Sequence, residues 1–390
     1  MNSAILDPEV QNFIRNFDGD TTRLAFSGSP FNNISVQELL EQITGYRTAK
    51  IKFPVWAENE GIYYPPKMNM EQTSSAITAN YKAKLFGGKS MADITAGFGV
   101  DTFYFSKSFN TVDHFEINEN LSEIVQHNFK VLGSNNISFY TKEGVQAVAN
   151  KKYDLIYVDP SRRDQDKKKV FLLEDCLPNI PLHLDSLLKS TNRILVKTSP
   201  MLDISIGIKA MRFVSEIHVV AVENEVKELV WVVEPPGQSS PRILTVNFIG
   251  SEVQRFSFHY GDSDSGTYGD VRSYLYEPNA AIMKSGGFSV ISENFDIEKL
   301  HKHTHLFSSD ELIEFPGRQF KVMERIPYTK KHMRAGITFD KANVAVRNFP
   351  ESVSELKKRW KIKDGGERYV FFTTVQNDKK MMLICEKIHL

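Results

Sequence analysis

Asp93-Ile94-Thr95-Ala96-Gly97-Phe98-Gly99-Val100-Asp101 reads as a strand end, a glycine turn and a helix start. In an α/β sheet this local structure holds a nucleotide-like cofactor, because glycines let the backbone turn sharply and approach a ligand with no Cβ between. A second turn, Asp159-Pro160-Ser161-Arg162-Arg163, follows the apolar run from Tyr153 to Val158. Open α/β sheets bind ligands at the carboxyl ends of their strands, so both turns are expected to line one crevice.

Working outward, strands are predicted at 90–95, 111–116, 137–140, 153–159 and 192–198, with a helix at 119–132 closed by Gly133. Strands separated by helical patterns argue for βαβ units and a parallel sheet. Two further apolar runs, 216–222 and 226–234, are joined only by Glu223-Asn224-Glu225. So short a link permits only an antiparallel hairpin, since a parallel crossover needs a dozen or more residues. Ahead of the sheet, Asn69 with Gln72 three residues on has the pattern of a capping box. The helix it opens is expected to run to Phe86 and stop at Gly87-Gly88.

The expected organisation is a helical N-terminal region over 1–68 and a doubly wound sheet domain over 69–235. After the Pro-rich linker at 235–241, connecting strands and a small segment occupy 242–321 and an α+β domain 322–390. A run of strand, helix, strand, helix and two strands predicts that last domain. Its 16 Lys and Arg against 8 Asp and Glu over 321–390 give a local charge of +8, in a chain whose net charge is zero. Such asymmetry points to a polyanion partner, although a solvated Lys-rich face has the same composition. Two cysteines, Cys176 and Cys385, exclude a disulfide scaffold and fit a reducing interior. Without a long apolar run or a signal-like start, the expected location is the cytoplasm, with no membrane partner.

Residue chemistry sharpens the site. Asp93 is placed to accept a hydrogen bond from a cofactor ammonium or a water, or else to cap the following helix. Glu116 ends the second strand nineteen residues after Gly97, where a carboxylate takes both hydroxyls of a ribose. Glu143 follows the third strand, where recognition of an adenine amino group needs an acceptor; a first-turn helix carboxylate is the alternative. Asp159, Pro160 and Ser161 are the catalytic candidates, and the guanidinium forks of Arg162 and Arg163 suit phosphate or carboxylate groups. Lys167 and Lys168 lie in the same stretch. Cys176, expected in a helix at 171–176, and Cys385 read as buried small apolar groups rather than nucleophiles. His301-x-His303-x-His305 has no evident fourth ligand, so a strand edge is the better reading and no metal is expected.

A parallel sheet finished by an antiparallel hairpin, together with these motifs, resembles the bacterial class I S-adenosylmethionine-dependent methyltransferases with a THUMP-like C-terminal domain. The resemblance also rests on Met70 to Ser75 with Tyr81-Lys82-Ala83, on Tyr276-Glu277-Pro278-Asn279 and on Thr304-His305-Leu306-Phe307. Phe315-Pro316-Gly317-Arg318 and Val346-Arg347-Asn348-Phe349-Pro350 complete it. It implies a Rossmann-like fold, S-adenosylmethionine as cofactor, and ferredoxin-like and THUMP-like segments around 278–322 and 323–390. It further implies that Glu71, Gln72 and Ser74 close over the methionine end of the cofactor. The leading expectation is methylation of tRNA or rRNA, with Arg347, Lys357, Lys358, Arg359, Lys361 and Lys363 as contacts. A small-molecule or protein acceptor, and a cofactor-binding module without catalysis, are the alternatives. The departures are Ala96-Gly97, where many relatives carry Gly-Gly, and Ser161-Arg162-Arg163, where amino-group methyltransferases usually place a stacking aromatic.

Overall fold

A computed structural model describes residues 1–162, 172–237, 240–262 and 266–388. The chain divides into two compact units, Met1–Glu216 with Glu228–Ser239, and Ile217–Lys227 with Ser240–Leu390.

The first unit opens with helices α1 (Pro8–Asn16), α2 (Thr21–Ser27), α3 (Val36–Lys52) and α4 (Pro54–Glu58). Phe53 and Trp56 carry this lead-in onto the sheet domain, where Trp56 meets Phe103 edge-on at 4.8 Å and Phe98 at 6.2 Å. The extended segment after α4 is fixed by Asn128, which accepts from the Tyr63 N–H at 2.9 Å and donates to the Tyr63 carbonyl at 2.8 Å.

The single helix expected from Met70 to Phe86 is instead two, α5 (Lys67–Gln72) and α6 (Ala76–Ala83). Asn69 lies inside α5, whose N-cap is Pro66, and the capping side chain belongs to Ser75, which accepts from the Thr78 N–H. The break has a tertiary cause: Ser74 turns inward to hydrogen-bond Asp101, which a continuous helix would not allow it to reach.

The sheet follows as β1 (Gly88–Asp93), α7 (Val100–Phe105), β2 (Phe109–Phe115), α8 (Glu119–Val131), β3 (Ile137–Tyr140), α9 (Gly144–Ala147) and β4 (Leu155–Val158). Two-residue strands β5 (Ser161–Arg162) and β6 (Cys176–Leu177) pair antiparallel. Cys176 is thus buried in a strand after a 3-10 turn, Leu173–Asp175, and not in the expected helix. Then come α10 (Ile180–Leu187), β7 (Ile194–Thr198), α11 (Ile204–Ala210), β8 (Val214–Val222) and β9 (Glu225–Val233). The strand order is β3-β2-β1-β4-β7-β9-β8. Pairings among the first five are parallel, and β9 runs antiparallel to β7.

The second unit contains an antiparallel pair, β10 (Arg242–Ile249) and β11 (Glu252–His259), and then β12 (Tyr274–Pro278), α12 (Ala280–Ser285), α13 (Ile291–Phe295), β13 (Glu298–His301) and β14 (Thr304–Ser309). It ends with β15 (Gly317–Pro327), α14 (Lys330–Gly336), β16 (Asn343–Arg347), α15 (Val353–Trp360), β17 (Arg368–Val375) and β18 (Lys379–Lys387). Seven of these strands form one sheet in the order β13-β14-β12-β15-β18-β17-β16. The sheet rolls up, because Thr304 on β14 donates to the Thr374 carbonyl on β17 at 2.6 Å. Leu275, Leu300, Leu306, Phe320, Phe371, Leu383 and Cys385 fill the roll, while Met333 and Leu356 pack α14 and α15 onto its outer face.

Candidate active site

From β1 the chain proceeds laterally to β2 and β3, and from β4 in the opposite direction to β7. The topological switch therefore falls between β1 and β4, and the crevice at their carboxyl ends is where such a sheet takes a ligand. The turn after β1 and the turn after β4 stand on its two sides, tied by the Asp159 N–H donating to Thr95 Oγ1 at 2.6 Å.

Asp93 is fully buried at the end of β1, with its carboxylate accepting from Thr102 Oγ1 at 2.7 Å and from the Thr95 N–H at 3.2 Å. Burial pushes its carboxyl up to about 8 against the lowering effect of the Thr102 hydrogen bond. Thr102 Oγ1 also lies 3.2 Å from His114 Nδ1, whose imidazole burial holds down at about 3. Asp93 therefore shapes the turn from inside. Gly97 and Gly99 take φ of +54° and +82°, the left-handed region that glycine adopts at no steric cost. A Cβ on Gly97 would meet nothing nearer than the Thr95 carbonyl at 3.9 Å, so the space over that turn is open to a ligand. A Cβ on Gly99 would lie 2.8 Å from the Phe129 ring, so this glycine serves packing.

Glu116, half-buried beyond β2, accepts from the Gly97 N–H at 3.1 Å and the Asn118 N–H at 2.7 Å. Burial holds its carboxyl above the ordinary range, with those backbone bonds opposing. Glu143 is exposed and caps α9 by accepting from the Val145 and Gln146 N–H groups. Glu71 and Gln72 are exposed at the end of α5, with Glu71 paired to Lys67 at 3.5 Å. Ser74 is buried and joins a charge cluster that sequence reasoning did not assemble.

That cluster centres on Lys82, a fully buried lysine on α6. Its ammonium donates to both Glu228 oxygens at 2.6 and 2.8 Å and to Ser74 Oγ at 3.1 Å, and pairs with Asp101 at 3.2 Å. Asp101, two residues past Gly99, also accepts from Ser74 Oγ at 2.7 Å and Tyr157 OH at 2.9 Å. Burial works to raise the Asp101 carboxyl, but the Lys82 and Lys197 ammoniums outweigh it and hold it below the ordinary range. Lys197, at the carboxyl end of β7, pairs with Asp159. The signal for these groups was a lone lysine in Ile194-Leu195-Val196-Lys197-Thr198 and a lone acid, Glu228, ahead of Leu229 to Val233. A charge in a buried strand needs a partner.

Pro160 is buried and Ser161 exposed on β5, and Arg162 pairs through its backbone with Cys176. Arg163, Lys167 and Lys168 lie outside the described residues. In the second unit Arg347 donates from Nε to Glu277 at 2.5 Å and Arg318 does so at 2.6 Å, so the buried Glu277 carries two guanidiniums. Arg359 pairs with Glu351 at 2.6 Å and Lys357 pairs with Asp364, while Lys358 is exposed. His301 ends β13 and meets Asp378 at 3.1 Å, and His305 lies on β14. Among the described residues no three metal-ligating side chains come together, and no helix is long and apolar enough to cross a membrane.

Residues 274–316 match a ferredoxin-like domain model and residues 317–387 a THUMP domain-like model. Across 98% of this chain and 99% of the other, the structure matches that of a protein from Porphyromonas gingivalis W83 provisionally assigned as a methyltransferase, with 28% identity and a TM-score of 0.87. Partial likenesses, each with a TM-score of 0.30, include an rRNA methylase from Streptococcus thermophilus (13% identity, 40% of this chain, 94% of that one). Another is TrmK from M. capricolum in complex with S-adenosylhomocysteine (12% identity, 41% of this chain, 68% of that one). No curated protein sequence matches. Residues 274–387 thus carry a ferredoxin-like and a THUMP-like domain, in a chain whose whole length is similar in structure to that protein from Porphyromonas gingivalis W83.

Proposed function

We propose that the chain is an S-adenosylmethionine-dependent methyltransferase acting on RNA, tRNA or rRNA. The observation that carries this reading is the fastening of an open glycine turn to an Asp-Pro turn at the switch point of the sheet. The residues fit the cofactor: Gly97 leaves room above its turn, and Glu116 has a half-buried carboxylate at the strand end where a ribose is held. Glu143 and the segment from Glu71 to Ser74 complete the set proposed to hold it. When bound, the cofactor supplies a sulfonium methyl, an excellent electrophile, so in-line positioning provides much of the rate. An acceptor that gave its lone pair to that methyl would shed a proton, for which Asp159 or water would be the recipient. Asp159 accepts a hydrogen bond from the acceptor and aims it, with Pro160 and Ser161 shaping the turn and Arg162 and Arg163 on the substrate's phosphates.

The RNA part of the reading is supported by the THUMP domain-like segment and by its surplus of basic residues. Lys358, Lys361 and Lys363 are exposed contact candidates, whereas Arg347, Lys357 and Arg359 offer only the donors their acidic partners leave free. The test is methyl transfer from labelled S-adenosylmethionine to total RNA from cells lacking the protein, with wild type and Asp159→Ala in parallel and cofactor binding followed by calorimetry. Label entering RNA with wild type alone is the expected result. Cofactor binding with no label in RNA overturns the RNA acceptor, and no cofactor binding overturns the enzyme.

A further inference from the structure

Lys197 interrupts a strand whose other four residues are buried, and its own side chain is 13% exposed. An ammonium there loses much of its hydration and persists only if carboxylates face it. Three do: Asp159 from the turn after β4, Glu228 from β9 and Asp101 from α7. Burial works to lower the lysine, and those three carboxylates outweigh it and hold the ammonium above the ordinary lysine range. Lys82, the second cation, already engages Glu228 through both oxygens and pairs with Asp101, which Ser74 and Tyr157 also contact. That division leaves Asp159 as the carboxylate to which Lys197 donates directly.

We propose that Lys197 is a positioning residue for Asp159, holding its carboxylate aimed across the crevice at the methyl acceptor without touching the reacting atoms. The inference rests on the methyltransferase reading. Its physical content is that the turn after β4 is a short, half-exposed segment, so the rotamer of Asp159 has to be set by a partner on a rigid strand.

The test compares Lys197→Met, Lys197→Arg, Asp159→Asn and the double Lys197→Met/Asp159→Asn. Each is assayed for cofactor affinity by calorimetry and for methyl transfer to RNA from cells lacking the protein, at saturating cofactor. Lys197→Met is expected to keep cofactor affinity within about threefold and lower kcat at least about 30-fold. Lys197→Arg is expected to restore most of the rate, since it keeps a cationic donor facing Asp159. The double variant removes both members of the pair, so it leaves no unpaired charge even where Lys197→Met alone folds poorly. It is expected to match Asp159→Asn within about threefold, because a residue that acts through Asp159 has nothing left to act on. A wild-type kcat in Lys197→Met, or losses that multiply in the double variant, overturn the inference while wild-type activity stands. An inactive wild type overturns the methyltransferase reading and this inference together.

Discussion

The Thr95 hydroxyl accepts the Asp159 N–H at 2.6 Å, so the two turns that flank the crevice move as one. Thr95→Val keeps the shape of the side chain and removes the acceptor. The expected cost is about 1–3 kcal/mol in urea unfolding, the penalty of a part-buried N–H without its partner. Methyl transfer is expected to fall through kcat, with cofactor affinity close to wild type, because the loosened group is on the acceptor side.

Gly97 and Gly99 are expected to separate in their effects. Gly97→Ala meets no obstacle, so unfolding should register only the left-handed strain, about 1–2 kcal/mol, while calorimetry registers loss of cofactor binding. Gly99→Ala adds the clash with Phe129 to the same strain and should cost about 2 kcal/mol or more.

The row Asp93–Thr102–His114 gives stability a distinctive pH dependence. In the folded chain Asp93 is raised to about 8 from 3.8, and His114 lowered to about 3 from 6.5. Between 3.8 and 6.5 the folded chain keeps one proton on Asp93 and the unfolded chain one on His114, so their joint contribution is flat. From 6.5 to about 8 only the folded chain holds a proton, so stability falls as pH rises, by about 1.4 kcal/mol per unit. Asp93→Asn is expected to abolish that alkaline decline and leave the His114 limb, which loses stability as pH drops below 6.5. Urea unfolding across pH distinguishes the two profiles.

Lys82→Met is expected to be among the most damaging substitutions, about 3–5 kcal/mol, because it strands Glu228 and Asp101 as buried charges without that cation. Adding Glu228→Leu should recover part of the loss. If Lys82→Met unfolds at wild-type urea concentration, the cluster does not stabilise the fold.

The fold was largely legible because its signals are local. The helix expected at 119–132 is α8, and Gly97 and Gly99 sit at positive φ in the turn after β1. The hairpin of β8 and β9 followed from link length alone. What stayed hidden depends on contacts between distant parts of the sequence. Lys82 and Glu228 are 146 residues apart, and nothing around either names the other. The helix expected from Met70 failed for the same reason, since Ser74 answers to Asp101 and not to its own helix. Glu143 shows the reverse case: its role at a helix start could be read from its own neighbourhood, and its carboxylate is the N-cap of α9.

The rolled sheet of the second unit has a consequence for how such chains are inherited. The border between the two matched sequence patterns, 316 to 317, falls where β12 and β15 pair, with Pro278 opposite Gly317 and Glu277 opposite Arg318. Leu275, Leu300 and Leu306 come from one side of that border and Phe320, Phe371 and Leu383 from the other, within a single interior. Two names therefore describe one folding unit. A gene that lost either half would encode an open sheet with a wet core, so the halves are bound to be gained, kept and lost together.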